Sequence, residues 1–96
     1  MLNGQLALVT GASRGIGQAI ALELGKAGAI VVGTATTADG AGRIGAYLTE
    51  AGIKGKGAAL EVRDQAQVDA LIAEIEKEFG VAVTILVNNA GITRDN

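Results

Sequence analysis

Apolar positions recur with two different spacings along this 96-residue chain. A short apolar run at Gln5–Val9 stops at Thr10-Gly11, which is typical of a strand buried on both faces. Apolar residues then recur at steps of three and four until Gly28, and this spacing predicts a helix. The residues that carry the helical spacing are Ile16, Ala19, Ile20, Leu24 and Ala27.

Three further strands are predicted, each from a short run rich in apolar or β-branched residues. They are Ala29–Thr36, Gly57–Val62 and Val83–Asn88. A helix is predicted between Ala29–Thr36 and Gly57–Val62, with Asp39 as its N-cap and Gly52 at its end. Three glycines within it make the helical pattern weak. Its apolar positions are Ile44, Leu48 and Ala51.

The helix before the last strand has the clearest pattern in the chain. Asp64 followed by Gln67 resembles a capping box, so the helix is expected to begin there. Its apolar face comprises Val68, Leu71, Ile72, Ile75 and Phe79. The charged residues Glu74, Glu76, Lys77 and Glu78 are expected to face solvent.

Strands that alternate with helices at this spacing predict the α/β class, with a doubly wound parallel sheet. Right-handed crossovers place the first two helices on one face of the sheet and the third on the other. The expected strand order is therefore 3-2-1-4, with a crevice at the carboxyl ends of strands one and four. Both glycine-containing segments, residues 11–17 and residues 88–91, are expected to meet at this crevice.

Composition limits the chemistry that the chain can perform. A net charge of −2 with one Phe, one Tyr and no Trp argues against nucleic acid as a partner. The absence of Cys and His from the sequence removes disulfides, thiol nucleophiles and the common zinc ligands, so no metal site is expected. The amino terminus lacks the pattern of a signal peptide, and no apolar run approaches about eighteen residues. We therefore expect a single, cytoplasmic domain without membrane contact.

Three glycines, Gly11, Gly15 and Gly17, stand where the first helix begins, although glycine is unfavourable in helices by about 0.5–1 kcal/mol. A bound phosphate would explain them, because free N–H groups and the helix dipole attract anions. In this hypothesis Gly11 forms the tight turn, Gly15 admits a pyrophosphate and Gly17 lets the helix pack closely. The alternative is that the glycines serve packing alone.

The pair Asn88-Asn89 follows the last predicted strand and has three open interpretations. Asparagines often end strands through turn hydrogen bonds. At the carboxyl edge of a parallel sheet, the two amides can also contact a ligand or brace a neighbouring loop.

The motif TGASRGIG, taken together with LVNNAG, resembles the short-chain dehydrogenase/reductase family. The likeness covers the whole chain and corresponds to the amino-terminal, cofactor-binding part of that family. It implies that residues 1–96 form a partial, Rossmann-like domain that binds NADP(H). The segments GTAT and NNAGITRDN resemble family members that reduce 3-oxoacyl groups, which implies a substrate linked to acyl-carrier protein and, for a complete protein, a homo-oligomer.

The resemblance also implies roles for individual residues. Those that would wrap the phosphates and the adenosine ribose are Gly11, Ser13, Arg14, Gly15, Ile16 and Gly17. Those that would lie near the remaining parts of the dinucleotide are Thr36 (2'-phosphate), Glu61 and Val62 (adenine), and Asn88, Ala90 and Gly91 (nicotinamide-side ribose). Position 61 departs from the family pattern, which has Asp or Asn there.

The choice between NADP(H) and NAD(H) depends on charge at the end of the second strand. A carboxylate there would favour the 2'-hydroxyl of NAD, whereas a guanidinium favours a 2'-phosphate. The strand ends at Thr36-Thr37 without an acid, and Arg14 lies in the glycine turn, so we expect NADP(H). Asp39 is the rival acid, and a solvated surface side chain is the alternative role of Arg14.

Catalytic residues are not expected in this chain. The family uses a serine and a Tyr-x-x-x-Lys motif, but the only tyrosine, Tyr47, is followed four residues later by Ala51. Tyr47 is predicted to be a packing residue. Three functions stay open: the cofactor-binding part of a 3-oxoacyl reductase, a non-catalytic dinucleotide-binding module, or part of a reductase of another carbonyl compound.

Overall fold

A computed structural model of the chain describes residues 1–90, which form a four-stranded sheet with three helices. In chain order the elements are β1 (Leu6–Val9), α1 (Gly15–Lys26), β2 (Ile30–Ala35), α2 (Ala38–Glu50), β3 (Gly55–Ala59), α3 (Gln65–Phe79) and β4 (Val83–Val87). All pairings are parallel and the strand order is β3-β2-β1-β4. The predicted α/β class and the strand order 3-2-1-4 are confirmed.

The two faces of the sheet carry separate hydrophobic clusters, because successive side chains of β1 point to opposite faces. Ala7 and Val9 pack with residues of α1 and α2, among them Ala21 and Ile44. On the other face, a second cluster comprises Leu6 and Leu8 of β1, Ile30 and Val32 of β2, Leu60, and Leu71 and Ile75 of α3. The predicted arrangement, with two helices on one face and the third on the other, is therefore confirmed.

The third strand lies two to three residues earlier than predicted. It covers Gly55–Ala59 and not Gly57–Val62, because its pairing follows the register of β2 from Val31 opposite Gly55 to Ala35 opposite Ala59. The last predicted strand residues instead enter the loop that leads to α3. Pairing with a neighbour sets the limits of this strand more than its apolar content does.

The N-cap of α2 is Thr37 and not Asp39. Thr37 Oγ1 accepts a hydrogen bond from the N–H of Gly40 at 3.0 Å, whereas Asp39 lies in the first turn. A carboxylate in that turn still interacts favourably with the helix dipole. The helix forms despite its glycines because Ile44 and Leu48 are fully buried against the sheet.

The buried face of α1 is rotated relative to the prediction. Gly17 and Ala21 are its buried residues, whereas Ile16 and Ala19 are exposed, Ile16 by 66 %. Of the predicted apolar positions, Ile20 and Leu24 do pack against the core, and Gly17 allows the close approach that was expected of it. Ile16 is thereby left as an apolar side chain on the surface at the start of α1.

The remaining helix follows the prediction closely. Asp64 caps α3 by accepting hydrogen bonds from the N–H groups of Ala66 and Gln67 at 3.1 and 3.3 Å. Leu71 and Ile75 are buried on its inner face. None of the helices in residues 1–90 combines the length and the apolar character needed to cross a bilayer.

Candidate dinucleotide-binding site

The turn between β1 and α1 contains two glycines whose backbone conformation would be strained for any other residue. Gly11 and Gly15 have φ angles of 63° and 62°, in the left-handed region that disfavours side chains. A Cβ atom on Gly11 would also approach the Cα of Ala90 to 2.9 Å. A Cβ atom on Gly15 would meet nothing within 4 Å, so the space in front of Gly15 is open.

The end of β1 is tied to the end of β4 through Thr10. The Thr10 N–H donates to the carbonyl of Val87 at 3.0 Å, and Thr10 Oγ1 accepts from the N–H of Ala90 at 3.1 Å. Oγ1 also lies 3.3 Å from Oδ1 of Asn88 and can donate to it. These bonds bring the glycine turn and residues 88–90 together at the carboxyl edge of the sheet, as the sequence predicted.

Asn89 braces the glycine turn from the β4 side. Its side chain is 2 % exposed, and Nδ2 donates a hydrogen bond to the carbonyl oxygen of Gly11 at 3.0 Å. A Cβ atom on Gly17 would lie only 2.8 Å from this Nδ2, so Gly17 is needed for the close approach of α1. Oδ1 of Asn89 is buried and has no hydrogen-bond partner among residues 1–90.

Tyr47 braces the same turn from the α2 side. Its hydroxyl donates to the carbonyl oxygen of Ala12 at 2.6 Å, while the N–H of Ala12 donates to the carbonyl of Thr34 at 2.8 Å. Burial raises the pKa of Tyr47 to about 12, so its hydroxyl remains a donor at pH values where an exposed tyrosine has begun to ionise. Tyr47 also packs against the core, as predicted, but its contact with the turn was missed.

The N-terminus of α1 differs electrostatically from the other two helix starts. Arg14 is its N-cap and makes no capping hydrogen bond through its side chain, whereas Thr37 and Asp64 cap α2 and α3. The first turn of α1 also contains no acidic residue. Because the first N–H groups of a helix lack intrahelical partners, this end favours an anion.

A cleft of about 220 Å³ opens in front of this turn. Its lining comprises Gly11, Ser13, Arg14, Ala35, Thr36 and Ala90. Arg14 is exposed and forms no ion pair within residues 1–90, so its charge is available to a ligand. Within residues 1–90 the lining contains no carboxylate, and the charge of the cleft therefore suits a phosphorylated ligand.

The other predicted site residues are distributed more widely. Val62 and Asn88 line a second, mostly apolar cleft of about 250 Å³ between α3 and β4. Glu61 lines neither cleft: its carboxylate accepts a hydrogen bond from Arg63 Nε at 3.0 Å, and this contact lowers the pKa of Glu61. Gly91 lies outside the described residues. Within residues 1–90, no group of three or more potential ligands could hold a metal ion.

Sequence reasoning did not include Thr10, Asn89 or Tyr47 among the residues of this site. Asn89 had a detectable signal, because a brace for a neighbouring loop was one interpretation of the asparagine pair. Thr10 and Tyr47 had none, since their partners lie 80 and 35 residues away in the chain.

A parallel sheet in the order β3-β2-β1-β4, with helices on both faces and a glycine turn at its switch point, is a Rossmann-like α/β fold. The family model described as short chain dehydrogenase matches residues 5–96, and the chain belongs to this family. It is 56 % identical over 95 residues to the 3-oxoacyl-[acyl-carrier-protein] reductase FabG of Pseudomonas aeruginosa. It is 57 % identical over 93 residues to the FabG of Escherichia coli strain K12.

The alignments with these two relatives cover 99 % and 97 % of this chain. They cover only 38 % and 36 % of the relatives' own lengths. The chain therefore spans a little over a third of the curated relatives that it matches, and it corresponds to one part of such a protein.

Proposed function

We propose that this chain is the NADP(H)-binding part of a cytoplasmic 3-oxoacyl-[acyl-carrier-protein] reductase. The observation that carries the proposal is the uncapped N-terminus of α1 behind the braced glycine turn. Family membership and the similarity to the FabG relatives support the nicotinamide cofactor and the acyl substrate. When bound, the cofactor supplies the hydride that reduces a keto group.

In this proposal the residues of the turn bind and orient the pyrophosphate. The N–H groups at the start of α1 face the anion, and the left-handed Gly15 leaves room for its approach. Arg14 would neutralise the 2'-phosphate beside Thr36, since the described residues that line this cleft include no acid. Asp39, the rival acid, lies in the first turn of α2 and is not among them. Exposed Ile16 would add an apolar contact next to the phosphate site.

Specificity for the adenine end is proposed to depend less on Glu61 than the family pattern implies. Its carboxylate is already paired with the Arg63 guanidinium through contacts of 3.0 and 3.4 Å. Val62 and Asn88, which line the apolar cleft, are the better candidates for contacts beyond the phosphates.

The expected homo-oligomer of a complete protein stays a prediction.

Titration of the purified chain with NADPH and NADH tests the cofactor assignment. We expect tighter binding of NADPH, and a loss of about tenfold or more in NADPH affinity for Arg14→Ala, because charge-assisted hydrogen bonds contribute about 1.5–3 kcal/mol. Lys26→Ala is the matched control: it removes the same charge at the opposite end of α1 and should leave the preference unchanged. If Arg14→Ala binds NADPH as tightly as the unaltered chain, the assigned role of Arg14 is wrong.

Turnover provides the second test. The 96 residues contain no Tyr-x-x-x-Lys, and the only tyrosine is engaged with the carbonyl of Ala12. The chain should therefore bind the dinucleotide without reducing a 3-oxoacyl thioester on its own. Reduction above a blank would mean that other groups in the chain donate the proton.

A further inference from the structure

Two successive carbonyl groups of the glycine turn accept hydrogen bonds from side chains of other elements. The carbonyl oxygen of Gly11 accepts a hydrogen bond from Asn89 Nδ2 at 3.0 Å. The carbonyl oxygen of Ala12 accepts one from the Tyr47 hydroxyl at 2.6 Å. A carbonyl oxygen carries a partial negative charge, so a carbonyl facing the cleft would repel a phosphate. The two braces therefore hold these two acceptors away from the cleft, while the first N–H groups of α1 lack a side-chain cap.

Ala12 is the residue through which α2 acts on the turn. It is fully buried, its N–H donates to the Thr34 carbonyl at 2.8 Å, and its methyl group packs over Gly33. A Cβ atom on Gly33 would come within 2.9 Å of that methyl group, so the two backbones approach as closely as glycine allows. β2 thus holds the N–H and the methyl group of Ala12. Tyr47 holds the carbonyl group of the same residue.

We propose that Tyr47 is a positioning residue for dinucleotide binding: its hydroxyl fixes the Ala12 carbonyl inward and thereby keeps the following N–H groups aimed at the phosphates. Tyr47 acts through Ala12 and lines neither described cleft. The hydroxyl is suited to this task because it is a protonated donor at physiological pH, and burial, which raises its pKa to about 12, extends that range. This inference rests on the proposed dinucleotide-binding function.

The direct test replaces the hydroxyl alone. Tyr47→Phe should raise the dissociation constant for NADPH by about twofold to tenfold, the range expected for one neutral hydrogen bond. Thr49→Val is the matched control, since it removes a hydroxyl from an exposed position of the same helix. Tyr47→Met provides a second side chain without a donor that still fills the gap and favours a helix.

Ligands with and without phosphate separate positioning from a merely structural role. A general loss of packing would weaken NADPH, ADP and adenosine alike, whereas a misaimed turn weakens only the two that carry a pyrophosphate. Binding is measured without denaturant on variants that circular dichroism shows to be folded, with ligand-detected magnetic resonance for adenosine. Equal losses for adenosine and ADP would overturn the inference.

The same titrations separate the two hypotheses. If the unaltered chain binds neither NADPH nor ADP, the proposed function fails. If the unaltered chain binds both, and Tyr47→Phe and Tyr47→Met bind them as tightly as Thr49→Val does, only the role of Tyr47 fails.

Discussion

Substituting Gly17 with alanine tests how closely α1 must approach the glycine turn. Gly17 is helical and its φ lies outside the left-handed region, so backbone strain does not oppose the change. Helix propensity alone would make alanine more favourable by about 1 kcal/mol. A methyl group would, however, lie 2.8 Å from both the carbonyl carbon of Gly11 and Nδ2 of Asn89, and closer still to the Gly11 oxygen.

The magnitude follows from the displacement that this methyl group requires. Ordinary contacts begin near 3.4 Å, so the Nδ2 contact alone requires a separation of about 0.6 Å, and the closer Gly11 oxygen requires more than twice as much. Overpacking of this kind costs about 1–3 kcal/mol, and a broken Asn89–Gly11 hydrogen bond adds about 0.5–1.5 kcal/mol. After the gain in helix propensity, we expect Gly17→Ala to lower the free energy of unfolding by about 1–3 kcal/mol.

Gly42→Ala is the matched control, because Gly42 lies in α2 and a Cβ atom there would meet nothing within 4 Å. This variant should be more stable than the unaltered chain by about 0.5–1 kcal/mol. Urea unfolding followed by circular dichroism measures both variants, with linear extrapolation to water. If Gly17→Ala proves as stable as Gly42→Ala, the close approach of α1 to the turn does not exist in solution.

Three further variants or titrations test separate parts of the structure. Asn89→Asp should destabilise the chain more at neutral pH than in mild acid, because only a protonated carboxyl can donate to the Gly11 carbonyl. If the loss of unfolding free energy relative to the unaltered chain is the same at both pH values, this expectation is contradicted. Tyr47 should titrate near 12 in the folded chain and near 10 when unfolded, so stability should fall as the pH rises from about 10 to 12. Tyrosinate absorbance reports on it alone, since the sequence has one Tyr and no Trp; titration near 10 in the folded chain would refute its burial. Lys56→Ala removes two exposed ion pairs of 3.1 and 2.8 Å with carboxylates of α3, and it should change stability by less than about 1 kcal/mol. A larger loss that persists in high salt would show that Lys56 does more than pair on the surface.

Features that depend on local spacing were predictable from the sequence. The apolar face and the Asp64 cap of α3 involve residues within one or two turns of each other, so the pattern contains all the necessary information. The sheet order followed from the alternation of elements and from the handedness of crossovers. The location of the glycine turn at the switch point is a consequence of that order.

Features that depend on tertiary neighbours were not predictable. The limits of β3 are set by its pairing with β2. The close packing of Gly17 was expected, but its neighbour Asn89 was not. Tyr47 was assigned to packing because its helix was expected to lie away from the strand ends. Its hydroxyl nevertheless reaches Ala12, a contact that exists only once α2 has docked on the sheet.

Two unfavourable features lie together at the turn between β1 and α1, and they are the physical argument for a ligand there. One is a helix start without a side-chain cap, and the other is Oδ1 of Asn89, which is buried without a hydrogen-bond partner among residues 1–90. Each of these features reduces stability on its own, whereas the other two helices are capped by Thr37 and Asp64. If the turn served packing alone, capping α1 and filling the space before Gly15 would stabilise the chain at no loss. A bound anion reverses that balance, because it interacts with the same N–H groups that a cap would occupy.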